Sequence, residues 1–214
     1  NPKGFEQIVY DVLANTQDMN IIEKPEPEDT PFYINNGTIN VGNTNGKVIL
    51  QTFSLESLVR VAEVFQGKVP MCFLLWKGTG ATDLTYDDPL GYASFINLGV
   101  KYKAHFIGPC IAGAPNDYPE LDQPWQDYLI HRAKMKNHPY TFDTYDQMAK
   151  YFGQYNFGVA DGMFNPPYLD ALFTNHSDMS INYMITHGWR KSPASQTLVD
   201  AREVLRKLGY LDNN

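Results

Sequence analysis

Strand-length apolar runs recur along this chain with helical stretches between them, and that alternation narrows the fold more than any other feature. The runs are 48–53, 70–76, 102–107 and 138–142, with a last one at 169–174 or, as the alternative, 159–164. Between the first two, Ser54 is placed to cap a helix whose apolar face is Leu55, Leu58, Val59, Ala62 and Phe65, with Gly67 as its stop. Residues 88–98, 125–136 and 144–151 read as further helices. A leading helix, 5–13, carries Phe5, Ile8, Val9, Val12 and Leu13 at near-3.6 spacing, and a tail helix is expected over 195–208. Strands that are apolar throughout and alternate with helices predict a parallel sheet covered by helices, an α/β fold. Five strands fit an open doubly wound sheet or part of an eight-stranded barrel, and periodicity does not choose between them. No G-x-G-x-x-G follows the first strand and no phosphate-binding P-loop is present, which counts against a nucleotide site.

Composition removes several classes of function. At 214 residues, with 43% hydrophobic and 19% charged, the chain can bury one sizeable core and is not a disordered polymer. A net charge of −7 gives no electrostatic footprint for nucleic acid. No apolar run approaches the ~18–20 residues of a membrane span. The only cysteines, Cys72 and Cys110, make neither a disulfide framework nor a metal box; Cys72 reads as a buried thiol, with one disulfide open if the two strands are neighbours. Two sequons, at Asn36 and Asn175, are compatible with a secreted glycoprotein, and Asn36 in its Gly/Asn-rich loop is the expected glycosylation site. The start, Asn1-Pro2-Lys3-Gly4, reads as processed or incomplete.

Several segments carry a resemblance. The run V-I-L-Q-T-F-S at 48–54 looks like a V-x-x-Q-S-F strand–helix junction, and Phe73-Leu74-Leu75 like the strand after it. His105-Phe106-Ile107-Gly108-Pro109 is similar to an I-G-P segment, and His138-Pro139-Tyr140-Thr141 to an H-P-Y-T strand, with Asp143 where an Arg is often found. Residues 170–178 resemble D-G-x-F-T-D-x-P-D, with Ala171 for Gly and Ser177 for Pro, and 159–164 offer a second match to the D-G step. In this order they resemble the second half of the glycerophosphodiester phosphodiesterase family. The resemblance implies that 1–185 are the C-terminal five strands of a TIM barrel and that 186–214 are a helical extension.

It also implies a division of labour. The family's catalytic histidines and the acidic ligands of its divalent cation, Ca or Mg, belong to an H-R-G strand, a P-E-N-T-like segment and an E-x-K strand, none of which is found here. His131-Arg132 is followed by Ala133 in a helix and reads as facing solvent. The expectation is that a missing N-terminal half or companion chain completes the barrel and supplies the hydrolysis. This chain would give the other wall of a pocket for a small phosphodiester and be inactive alone. No catalytic or metal-binding residue is assigned.

The expected substrate wall is Gln51, Phe53, Trp76 and Tyr140, standing at strand ends where barrel chemistry is done. Each has a plainer reading: Gln51 as a satisfied core amide, the aromatics as core packing. Lys77 reads as a solvated lysine, His105 as a hydrogen-bonded core histidine and His138 as a packed one. Asp83, Asp87 and Asp88 lack the spacing of a calcium loop and read as a solvated acidic turn. Two other classes stay open: a secreted, catalytically inactive barrel with a structural, self-assembly or glycan-binding role, and a self-contained five-stranded binding protein.

Overall fold

The computed structural model describes residues 4–15, 34–35, 38–39, 48–76, 88–117, 119–154, 169–188, 190, 202, 205, 206, 209 and 211. α1 (Gly4–Asn15) leads, followed by a short antiparallel pair, β1 (Ile34–Asn35) and β2 (Thr38–Ile39). The main body then alternates: β3 (Leu50–Thr52), α2 (Leu55–Phe65), β4 (Met71–Leu75), α3 (Pro89–Lys101), β5 (Phe106–Pro109), α4 (Pro124–Arg132) and β6 (Lys136–Asn137). α5 (Tyr145–Ala149) runs into a π-helical turn (Lys150–Gln154), and α6 (Ser177–Thr186) follows.

Local chemistry sets the helix starts. Ser54 Oγ accepts from Ser57 N at 3.3 Å, and Asp88 Oδ1 accepts from Leu90 N and Gly91 N, both at 2.9 Å, ahead of Pro89 at the first helical position. At α5, Thr144 and Gln147 form a reciprocal capping box.

The four strands β3-β4-β5-β6 form one parallel sheet in sequential order, with Leu50 opposite Met71, Cys72 opposite Phe106 and Phe106 opposite Lys136. Residues 169–174 take the next place. Asp170 N donates to Asn137 O at 3.0 Å, Phe173 N to Pro139 O at 2.9 Å, and Phe142 N to Phe173 O at 2.8 Å. Pro139 has no N–H to give back, so this segment lies along β6 without a regular ladder.

Because side chains alternate, the sheet has two different faces. Met71, Phe73, Leu75 and Ile107 join Leu58 and Phe65 of α2, Phe95 of α3 and Ile130 of α4 in the main core, with Phe73 stacked on Phe95 at 4.3 Å. Cys72, Leu74 and Phe106 form a separate cluster on the opposite face, with Ile49, Tyr140 and Phe173 against it. A further core joins Phe142, Met148, Tyr151, Leu169 and Tyr183 beneath α5 and α6.

The leading helix forms as its spacing predicts, with Phe5, Ile8 and Val12 on its open side, 74%, 61% and 60% exposed. α1 is rotated by its anchors on α2: Glu6 Oε1 accepts from Arg60 Nε at 2.8 Å, and Tyr10 sits edge-on to Phe65 at 5.3 Å. Several expectations are corrected. The third strand begins at Phe106 because α3 continues to Lys101, and the fourth lies at Lys136–Asn137 with an isolated bridge between Cys110 and Tyr140. α4 stops at Arg132. Cys72 and Cys110 are both free, since they join different clusters. The stretch 159–164 and most of 195–208 lie outside the described residues.

Gly108 marks the tightest point between β4 and β6. A Cβ there would meet Leu74 Cδ2 at 2.6 Å, Cys72 Sγ at 2.9 Å and the His138 carbonyl at 3.0 Å. Gly108→Ala is expected to lower stability by about 1–3 kcal/mol, the range for forcing a methyl into a packed core. Urea unfolding checks this; an unchanged midpoint would show that the strands separate freely.

Candidate functional site

The C-terminal ends of the strands open onto a cleft of about 330 Å³. β3 delivers Gln51 and, just past its end, Phe53; β4 gives Leu74; the stretch after β6 gives Tyr140 and Thr141; and Phe173, Thr174 and Asn175 close the far side. Ile49, Gln51 and Phe53 alternate on one side of the first strand, which carries Gln51 and Phe53 to the cleft above the Cys72–Leu74–Phe106 cluster.

Hydrogen bonds fix these walls. Tyr140 donates its hydroxyl to the Leu75 carbonyl at 2.8 Å, and its ring meets Phe53 at 5.6 Å and 88°. Phe53 also meets Trp76, at 5.9 Å and 71°. Asn116 clasps the Thr141 backbone, accepting from its N and donating to its O, both at 3.0 Å. Asp143 accepts from Asn175 N and Nδ2 at 2.9 and 2.8 Å, and Thr174 Oγ accepts from His176 N at 2.8 Å.

Beneath the cleft, His138 is packed 3.9 Å from Phe173 and 5.3 Å from Phe106. Burial pulls it down to about 4, so it is neutral at neutral pH.

Three of the four expected wall residues, Gln51, Phe53 and Tyr140, thus come together. Trp76 stands behind Phe53 and is not among the described lining residues. The sequence marks Thr141, Thr174 and Asn175 only as strand-end residues; their place in the cleft follows from the 169–174 segment lying beside β6. Asn36, Lys77, Asp83 and Asp87 lie outside the described residues, whereas Asp88 is the α3 cap. His105 Nδ1 accepts from Met71 N at 2.9 Å within the core.

The described lining offers amides, hydroxyls and aromatic faces and no Asp, Glu, His, Lys or Arg. Such a donor set does not fit a divalent cation, which takes carboxylate oxygens, nor an acid/base pair. These residues can hold, orient and shield a ligand.

A cluster of charged groups gathers around Asn137, outside the described cleft lining. Asn137 Nδ2 donates to Asp122 Oδ1 at 2.8 Å and to Asp127 Oδ1 at 3.1 Å. His131 faces solvent as expected, with its side chain 40% exposed, and it also bridges two carboxylates, with Nδ1 3.2 Å from Asp127 Oδ2 and Nε2 2.8 Å from Asp170 Oδ2. Asp170 also accepts from Lys136 Nζ at 3.2 Å and Asn137 N at 2.8 Å. Asp127 and His131 are four apart on α4, the one local signal of this pairing. Burial, with the Asp127 and Glu120 carboxylates nearby, pushes Asp122 well above the carboxylate range, against the hydrogen bond from Asn137 that acts downward. For His131, burial acts downward, but hydrogen bonds to Asp127 and Asp170 outweigh it and lift the imidazolium to about 10. Among the described residues, no group of three or more His, Cys, Asp or Glu is arranged to hold a metal.

No protein-family model matches the chain, and no curated protein is similar enough to count as a relative.

His131 therefore pins α4 to the 169–174 segment. His131→Gln is expected to cost about 1–3 kcal/mol at neutral pH, below the range for a fully buried pair because the imidazole is partly exposed. The folded protein raises this pKa, so the contribution is complete below about pH 6.5 and fades as pH rises through about 10. Thermal unfolding across that window should show wild type and variant converging as the solution becomes alkaline. Parallel curves would exclude a charged clamp.

Proposed function

We propose that this chain is an arc of a (β/α)-barrel of the glycerophosphodiester phosphodiesterase type, and that the cleft is the substrate-orienting wall of its active site. The observation that carries this reading is the strand order. β3 to β6 run parallel in unbroken sequence, and 169–174 continue the series. A doubly wound sheet reverses its order and has helices on both faces. Right-handed crossovers that always advance in one direction put every helix on one face, as in a barrel. Here α2, α3 and α4 all share the core of Met71, Phe73 and Leu75, while Leu74 and Phe106 look the other way.

Two surfaces support completion by a neighbouring βα unit. Among the described residues, β3 has a strand on one side only, leaving an edge for pairing. The apolar stripe Phe5, Ile8 and Val12 stands exposed on α1, which packs against α2.

In this reading the acid/base pair and the divalent cation belong to strands of the other half, and no step is assigned to a metal here. This half excludes water over the alcohol side of the substrate and fixes its orientation through Gln51, Thr141, Thr174 and Asn175.

The purified 214-residue chain is expected to release no alcohol from glycerophosphodiesters with Ca or Mg present. Joined to the H-R-G and E-x-K strands it should become active, and Gln51→Ala should then lower kcat/KM about 3- to 10-fold, as for one lost hydrogen bond. Turnover by the isolated chain would falsify this division of labour.

A further inference from the structure

A second cavity, of about 240 Å³, lies against α6. Ser177, Ser180, Ile181 and Met184 recur three or four residues apart, so their side chains share one side of that helix. Leu172 meets them from the segment beside β6, and Arg190 from beyond the helix end. We propose that this cavity binds a short-chain carboxylate, its charged end held by Arg190 and the Ser180 hydroxyl and its alkyl chain laid on Leu172, Ile181 and Met184.

Two observations carry this. The first is Ser180. It is 5% exposed, it lines the cavity, and its Oγ has no hydrogen-bond partner in the protein. Buried hydroxyls are paired as a rule, because one left unpaired has given up its hydration for nothing. A ligand oxygen in the cavity supplies that partner. The second is Arg190. Its N donates to Met184 O at 3.1 Å, which fixes its backbone at the end of α6, and its side chain lines the cavity. Among the described residues no carboxylate pairs with it. Asp170 is engaged by His131 and Lys136, and Asp178 is exposed and outside the described lining.

The lining selects the ligand. A guanidinium beside a hydroxyl donor suits a planar carboxylate, which accepts several hydrogen bonds across a narrow front. Leu172, Ile181 and Met184 are apolar, so the ligand must also carry hydrocarbon; a bare phosphate would lose hydration against them and gain nothing. The volume admits about eight water-sized groups, which is the size of hexanoate and too small for a long fatty acid. A net charge of −7 gives anions no general attraction, so the affinity has to come from Arg190. The site is independent of the reading of the cleft, since the two cavities share only Thr174 among their described linings.

Calorimetric titration of the full 214-residue chain with sodium hexanoate tests the site. Saturable binding is expected, with hexan-1-ol, which has the chain and not the charge, binding about tenfold more weakly. Arg190 is exposed, so Arg190→Gln should fold as the wild type does, which circular dichroism verifies, and should weaken hexanoate about five- to tenfold. Ser180→Ala should weaken it about two- to tenfold and leave the melting temperature unchanged or raised, because the hydroxyl it removes has no partner in the free protein. No saturable hexanoate binding, equal binding of hexan-1-ol, an unchanged affinity in Arg190→Gln, a Ser180→Ala variant that melts below wild type, or inorganic phosphate binding more tightly than hexanoate would each overturn the proposal. Hydrolysis by a completed barrel whose chain does not bind hexanoate removes this inference alone, whereas hexanoate binding without hydrolysis removes the phosphodiesterase reading and leaves the carboxylate site.

Discussion

Met71–Leu75 must bury side chains on both of its faces, and the arrangement of the molecule depends on how the two are covered. Met71, Phe73 and Leu75 are packed by α2, α3 and α4, the ordinary solution for a parallel sheet. Cys72 and Leu74 cannot use those helices, because they point the other way. They are covered by their own neighbours along the sheet, Phe106 and the inward residues Ile49, Tyr140 and Phe173. Gly108 permits this close packing by leaving room for Leu74 and Cys72. The cleft shares Leu74, Tyr140 and Phe173 with this face's cluster and lies where the strands stop.

That origin accounts for the chemistry of the cleft. This face of the sheet is apolar in its middle and polar at the strand ends, where Leu74 and Phe173 give way to Gln51, Thr141, Thr174 and Asn175. The acidic groups are placed where the outer helices can satisfy them. Asp122, Asp127 and Asp170 share Asn137 and His131, and an isolated carboxylate at the depth of Asp122 would be costly without that sharing. These three carboxylates lie outside the described cleft lining, whereas Asp143 stands at its rim, bonded to Asn175.

Much of this was legible in the sequence. The Ser54 cap and Gly67 bracket α2 as their residue types imply, and of Gln51, Phe53, Trp76 and Tyr140, expected together at a barrel mouth, all but Trp76 line one cleft. What the spacing left open was orientation. Phe5, Ile8 and Val12 share a helical stripe, but Glu6 and Tyr10 make the stronger contacts with α2, so the stripe turns outward. α6 was not anticipated, since its start at His176–Ser177 has no side-chain cap hydrogen bond. The His131 bridge was hidden for another reason: Asp170 lies 39 residues away and reaches the imidazole only once 169–174 are laid beside β6. Pairing over such a distance leaves no periodicity to read.

The same long-range pairing explains how a cleft built from chain ends keeps its shape. Residues 169–174 have no regular ladder, because Pro139 withholds an N–H, and would be free to slide. They are instead fastened at both ends. Asp170 is held at the lower end by His131, Lys136 and Asn137 N, and Asn175 at the upper end by Asp143. Phe173 lies between, its backbone bonded to Pro139 O and Phe142 N and its ring against His138. Charge-assisted bonds thus stand in for the missing ladder, and they do so outside the cleft. The ligand-facing surface can stay neutral while its position is set by ions behind and beside it. Stiffness comes from Asp143, His131, Lys136 and Asp170, none of them in the described lining, and Asn175 alone belongs to both the clamp and the lining, so a change at Asp170 would move the wall without changing the groups it presents.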